Sequence, residues 1–169
     1  MGNYIEKLIC FYGADNENGF LSNFYIAPFN DGERTYNCVE QYMMYHKAKL
    51  FNDTEIMDAI MKETVPANIK RLGRAVKGYD DEKWNAVRLE IVENAVYMKF
   101  KQNRDIQDKL LEFPIDCEFA ECSPTDCIWG IGLKVSSPLR FHRNCWKGKN
   151  YLGIIIGKVR DRIIRHHLR

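Results

Sequence analysis

The stretch Cys38–Phe51, CVEQYMMYHKAKLF, constrains the fold most, because it reads as one helix with a charged stripe where an apolar one is expected. Val39, Tyr42, Met43, His46 and Leu50 recur at i, i+3 and i+4 spacing and define an inward face. Glu40, Met44 and Lys47 fall on a second stripe, since i, i+4 and i+7 stack on one side of a helix. A carboxylate and an amine two turns apart, beside aromatic and Met neighbours, are either a surface pair or a site. Asn37 followed by Glu40 also fits an N-cap with its capping-box partner, which would leave Glu40 with a backbone role only.

The 169 residues suit one domain with a real core, and 46% hydrophobic with 28% charged residues is an ordinary globular balance. No apolar run is long enough to span a bilayer, and the opening MGNYIEKLIC lacks the basic segment and apolar core of a signal peptide, so a cytoplasmic protein without membrane contact is expected. Six cysteines with no C-x2-C pair are expected to be thiols, and no metal site is expected. The net charge of +2 does not by itself imply a polyanion partner. The last quarter is nevertheless basic, with Lys147, Lys149, Lys158, Arg160, Arg162, Arg165 and Arg169. Such a run reads as a solvated helix face or as a nucleic-acid contact.

Along the chain, Leu8–Tyr12 reads as a strand, and Pro28 with Asn30, Asp31 and Gly32 marks a loop or hairpin before Cys38. Ser22 and Asn23 either hold a ligand or close a turn with their own side chains. Asp53 caps a helix running to Glu63, and Pro66 opens the next one. The longest helix spans Asp81 to Gln102 and is apolar on two sides, which predicts a central, buried position. Trp84 at its start is either core or a lid at a pocket edge. Asp105–Phe113 is predicted helical, Glu118–Cys122 and Cys127–Leu133 are predicted strands around the turn Ser123-Pro124-Thr125-Asp126, and a last helix covers Asn150–His167. In that turn Asp126 is either a turn residue or chemistry. Helices with a few irregularly placed short strands predict an α+β fold, a mainly helical single domain over 1–169 with a small sheet.

Taken together, FLSNF at 20–24, VEQYMMYHKAKLF at 39–51, IKRLGRAVKGYDDEKW at 69–84, KFKQN at 99–103, ECSPTDCIWGIGL at 121–133 and WKGKNYLG at 146–153 resemble the NADAR family. The resemblance runs from Phe20 to about Arg160 and implies a hydrolase of N-glycosidic bonds. Its implied substrates are ADP-ribosylated guanine, in DNA, RNA or nucleosides, or early ribosylamino-pyrimidine phosphates of riboflavin biosynthesis. By position it implies Glu40, Lys47 and Asp126 as catalytic residues. Substrate contacts would come from Ser22, Asn23, Phe24, Arg74, Trp84, Trp129, Gly130, Lys149 and Asn150. Gln41 stands where histidine is frequent, Thr125 where an aromatic is common, and Lys134–Cys145 is more basic than the pattern.

Both substrate classes join C1 of a ribose to an exocyclic amine. A neutral Lys47 could exchange with that amine through an imine while Glu40 shuttles the proton, or Glu40 and Asp126 could work as a carboxylate pair on water. Trp84 and Trp129 would offer flat surfaces to a base, and Arg74, Lys149 and the N–H groups near Asn150 would suit a phosphate. No P-loop or G-x-G-x-x-G motif occurs, so no cofactor is expected. A non-catalytic ADP-ribose-binding module and a nucleic-acid-binding protein are the competing classes, and the oligomeric state is left open.

Overall fold

A computed structural model describes residues 4–167, the side chain of His167 excepted; Arg169 and the first three residues of the N-terminal stretch lie outside the described residues. Contacts divide the chain into two compact units, Asn23–Asn103 and a second made of the residues up to Ser22 with those from Arg104 onward.

After β1 (Leu8–Phe11) of the other unit, the Asn23–Asn103 unit begins with a hairpin of two-residue strands: β2 (Phe29–Asn30) pairs antiparallel with β3 (Thr35–Tyr36). Helices α1 (Val39–Leu50), α2 (Thr54–Lys62), α3 (Pro66–Arg74) and α4 (Asp81–Gln102) follow, and α2, α3 and α4 all pack on α1. Their starts follow the sequence signals. Asp53 caps α2 by accepting the N–H of Ile56, Pro66 opens α3, and Asp80 caps α4 by accepting the N–H of Lys83. The hairpin and α1 share an aromatic cluster in which Tyr36 meets Tyr42 edge-on at 4.9 Å and Phe29 lies 5.8 Å from Tyr42, contacts worth about 0.5–1.5 kcal/mol each beyond area burial.

Two expectations change here. Leu50 was expected on the inward face of α1 but is 38% exposed at the last turn. The long helix α4 is buried along one broad side rather than two: Trp84, Arg88, Val92, Ala95, Val96, Lys99 and Phe100 are buried, while Val87, Ile91 and Met98 are half-buried and Leu89 is exposed. A helix on the flank of α1 needs only one covered face.

The second unit holds β1 (Leu8–Phe11), α5 (Arg104–Glu112), β4 (Glu118–Glu121) and α6 (Tyr151–His167). β1 and β4 pair in parallel, Leu8 opposite Glu118 through Phe11 opposite Glu121. α6 packs on β4 and buries Leu152, Ile155, Ile156, Val159 and Ile163, the five residues its period places inward. The fold is thus α+β, mainly helical, with two small sheets of short strands.

The predicted strand at Cys127–Leu133 is not formed; that segment is a run of bends. Two of its N–H groups are taken locally, because the Asp126 carboxylate accepts those of Ile128 (2.9 Å) and Trp129 (2.8 Å); one, that of Ile131, reaches β4 at Glu121 O, and Gly132 adopts φ +70°. Its carbonyls serve the chain that leads into α6: Ile131 O accepts from Lys147 and Gly148, Cys127 O from Lys149, and Gly130 O from Asn150. A segment whose donors turn inward and whose acceptors serve an irregular neighbour cannot lie in a ladder.

No described helix is long and apolar enough to cross a membrane.

Candidate active site

The candidate site in the Asn23–Asn103 unit is built on α1. Cys38 is the N-cap in an extended conformation, and it makes no side-chain cap. The reach-back expected of Glu40 is made by Gln41 instead, whose Oε1 accepts the N–H of Asn37 at 2.8 Å. The Gln41 amide also donates to the carbonyls of Ile60 (3.0 Å) and Glu63 (3.1 Å), tying the start of α1 to the end of α2. Its departure from the histidine of the family pattern is thereby absorbed inside the fold.

Relieved of capping, Glu40 is only 3% exposed, and its N–H donates to the Asn23 carbonyl at 3.0 Å. Two turns on, Lys47 is half-buried. Its Nζ donates to Gly73 O at 2.8 Å and sits 4.4 Å above the centre of the Tyr79 ring. Burial lowers the Lys47 pKa from the usual lysine value; the Glu40 carboxylate works against that shift and the Arg74 guanidinium reinforces it. The Gly73 carbonyl comes this close because Gly73 has no side chain. A Cβ there would fall 1.9 Å from Met44 Sδ, so glycine is what lets α3 lie against the Glu40–Met44–Lys47 stripe.

Asn23 meets this pair through its bond to Glu40 and Arg74 through its charge on Lys47, and Phe24 and Trp84 belong to the same unit. Asn23 is 6% exposed, and its side-chain Oδ1 is buried with no hydrogen-bond partner among the described residues, an acceptor still lacking a donor. Phe24 lies under the Lys70 ammonium at 5.7 Å. Arg74 is exposed at the end of α3. Trp84 is buried in the first turn of α4, which places it in the core.

Sequence reasoning missed Lys99. This lysine is 1% exposed, with its ammonium 5.5 Å from the Tyr25 ring centre and 5.3 Å from that of Phe100; burial pulls its pKa down to about 7, opposed by the Cys38 thiol group. The signal was present in the period of α4: positions 84, 88, 92, 95 and 99 form the buried stripe, and two of them are cations.

Asp126, Trp129, Gly130, Lys149 and Asn150 are brought together in the other unit, in a knot of backbone bonds. Ser123 Oγ accepts the N–H of Asp126 at 3.0 Å, and Asp126 in turn holds the N–H of Trp129. Trp129 is half-buried, edge-on to Tyr151 at 6.4 Å, and Lys149 is exposed with its ammonium 5.6 Å from the same Tyr151 ring. Gly130 serves the knot itself, since a Cβ there would lie 2.8 Å from Glu121 O, and one on Gly148 would lie 2.1 Å from Gly130 O.

Asn150 is 3% exposed, in the left-handed region at φ +53°; its Nδ2 donates to Phe119 O (2.8 Å) and its Oδ1 accepts the N–H of Glu121 (3.2 Å). One amide thus does for the outer edge of β4 what a neighbouring strand would do. The helix start expected to hold a phosphate is also spoken for, because the N–H groups of Tyr151 and Leu152 donate to the carbonyls of Ile128 and Trp129. Ser22, buried in this same unit, donates its N–H to Gly19 O. The unusually basic Lys134–Cys145 segment is likewise engaged: Arg143 pairs with both oxygens of Glu118 at 2.7 and 2.6 Å, and the Arg140 carbonyl accepts from Trp146 Nε1.

A model of the NADAR domain matches residues 10–164 of the chain. N-glycosidase R617 of Acanthamoeba polyphaga mimivirus is 37% identical over 164 residues, which cover 92% of this chain and 96% of that protein. The riboflavin biosynthesis protein VVA0006 of Vibrio vulnificus (strain YJ016) is 29% identical over 164 residues, 97% of this chain but 41% of that longer protein. N-glycosidase YbiA of Escherichia coli (strain K12) is 25% identical over 158 residues. The NMR structure of E. coli YbiA superposes with a TM-score of 0.77 at 24% identity, covering 98% of this chain and 89% of that one, so the fold is shared. On the match of nearly its whole length, this chain belongs to the NADAR domain family.

Proposed function

We propose that the chain is an N-glycosidase that cleaves the bond between C1 of a ribose and an exocyclic amine. Its substrates are ADP-ribosylated guanine, in nucleic acid or nucleosides, or ribosylamino-pyrimidine phosphates of riboflavin biosynthesis. The observation that carries this reading is Lys47: an amine whose pKa is lowered by burial, held between a carbonyl and an aromatic face, with a buried carboxylate on the same stripe of α1. The names of R617 and YbiA support the reaction class, and that of VVA0006 supports the second substrate.

The chemistry runs through an imine. Glu40 protonates the ring oxygen, the C1–O bond of the ribose opens, and the exocyclic nitrogen becomes an iminium. Neutral Lys47 adds its Nζ to C1; the C1–N bond to the base then breaks as that nitrogen takes a proton and leaves as an amine. Water adds to the lysine imine, with Glu40 as base, and returns the lysine and a ribose aldehyde that recloses. The buried Oδ1 of Asn23, beside the start of α1, is suited to accept a ribose hydroxyl. Asp126 is better suited to positioning than to activating water, because its Oδ1 holds two backbone N–H groups of its own turn. That favours the lysine route over a carboxylate pair.

The test is an assay of wild-type protein and Lys47→Ala on an ADP-ribosyl-guanine oligonucleotide and on the ribosylamino-pyrimidine phosphate, with borohydride present. Cleavage by the wild type with a reduced adduct that disappears in the mutant is expected. Cleavage without an adduct would replace the imine by carboxylate-activated water. Tight ADP-ribose binding with no cleavage of either substrate would overturn the enzyme reading in favour of a binding module.

A further inference from the structure

Outside the site described above, the parallel β1–β4 pair carries two cysteines that the glycosidase chemistry does not use. Cys10 lies on β1 opposite Ala120, and Cys122 follows β4 with its N–H donating to Phe11 O at 2.8 Å. Side chains two apart along a strand point to the same face, so Cys10, Ala120 and Cys122 share one side of the pair, where all three join a cluster with Ile131, Leu133 and Trp146. On that face the Cys122 thiol lies within reach of the Cys10 sulfur and donates to the Ala120 carbonyl at 3.7 Å. Cys122 is fully buried, whereas Cys10 is partly exposed.

The third member of the arrangement is Arg140. Its guanidinium lies beside the Cys10 sulfur and donates Nη1–H to the Ser137 carbonyl (2.9 Å), and its buried Nε has no hydrogen-bond partner among the described residues. A thiolate at Cys10 would complete that cation. The neighbours of Cys10 act in opposite senses: the Cys122 thiol and the charge of Arg140 lower its pKa, burial and Glu17 raise it, and the outcome is about 7. Cys122 is pushed the other way, chiefly by the Cys10 sulfur beside it, so the proton stays on the buried sulfur. An accessible sulfur able to ionise, in contact with a buried protonated one and a fixed guanidinium, is the layout of an attacking and a resolving thiol.

We propose that Cys10 and Cys122 form a reversible, peroxide-driven disulfide, with Cys10 as the attacking thiol and Cys122 as the resolving one. The Cys10 thiolate attacks hydrogen peroxide: an S–O bond forms, the O–O bond breaks and hydroxide leaves, taking a proton to become water. The Cys122 sulfur then displaces the sulfenic oxygen. The S–S bond forms, the S–O bond breaks, and the oxygen departs as water with the Cys122 proton. Two thiols are oxidised and one peroxide is reduced to two waters. The bond would fasten β1 to the residue before Ser123, whose hydroxyl organises the turn that holds Trp129. Sulfenate capture therefore reports on a different part of the chain from Lys47, and the two readings can fail separately.

The experiment treats the intact protein with graded hydrogen peroxide at neutral pH, alkylates the remaining thiols and maps the linked peptides under non-reducing conditions. A single Cys10–Cys122 cross-link, reversed by dithiothreitol, is expected. Iodoacetamide should label Cys10 about two- to fivefold more slowly in Arg140→Ala, as one of the two groups that lower its pKa is removed and its thiolate fraction falls. Cys122→Ala, checked for a native melt, should stop at a Cys10 sulfenate that a dimedone probe captures. A cross-link to Cys145, an intermolecular bond through the exposed Cys127, or equal labelling rates for Arg140→Ala and the wild type would each overturn the proposal.

Discussion

Two glycines one turn apart on α6 should respond to the same substitution with opposite signs. In Gly153→Ala the new methyl would lie 2.1 Å from the Phe119 carbonyl oxygen of β4 and 2.5 Å from Asn150 Nδ2. The carbonyl must retreat by about 1 Å or more, an overpacking cost of about 1–3 kcal/mol. Retreat also strains the two bonds by which Asn150 clamps β4, each worth about 1 kcal/mol net. Against this stands the helix preference for alanine, about 0.5–1 kcal/mol. The balance is a loss of about 2–3 kcal/mol, which lowers Tm by about 4–12 °C for a chain of this size. Gly157→Ala meets nothing within 4 Å. Only the helix preference remains, so Tm should rise by about 1–4 °C. Differential scanning calorimetry of both variants beside the wild type measures this directly. If the two melts move in the same direction, or Gly153→Ala melts with the wild type, the close approach of α6 to β4 is not what fixes Gly153.

Glu40→Gln removes the charge that holds the Lys47 pKa up, so that pKa should fall further; the lysine becomes neutral at lower pH, and the rising limb of imine formation shifts towards acid. Borohydride trapping of ribose 5-phosphate across pH reads that limb without needing the acid step, and a limb that stays in place or moves towards base would show that the two groups do not interact. Asn150→Ala should cost about 2–4 kcal/mol in urea unfolding, from two lost buried bonds and a left-handed backbone that alanine disfavours. A cost near zero would mean that β4 holds its edge without the amide.

Local signals along the chain set the element boundaries. Asp53, Pro66 and Asp80 mark helix starts by supplying or sparing backbone donors within a few residues, so their meaning does not depend on distant packing. The i, i+4, i+7 spacing placed Glu40, Met44 and Lys47 on one stripe, and the five apolar residues of α6 faced inward as their period required. The order of the motifs identified the family.

Tertiary structure decided what those residues touch. Gln41 rather than Glu40 reaches back to Asn37 because the end of α2 lies within reach of its amide, a fact no local window contains. Lys47 has a lowered pKa because folding buries it, and the carbonyl it bonds belongs to Gly73, some 26 residues on. Asn150 is expected as a ligand contact and its amide completes the edge of β4, and Cys127–Leu133 reads as a strand whereas two of its donors are claimed by Asp126. Periodicity reports which way a side chain points, whereas hydrogen-bond partners and desolvation depend on segments far apart in sequence. The residue types of the candidate site were therefore legible beforehand, and their protonation and their hydrogen-bond partners were not.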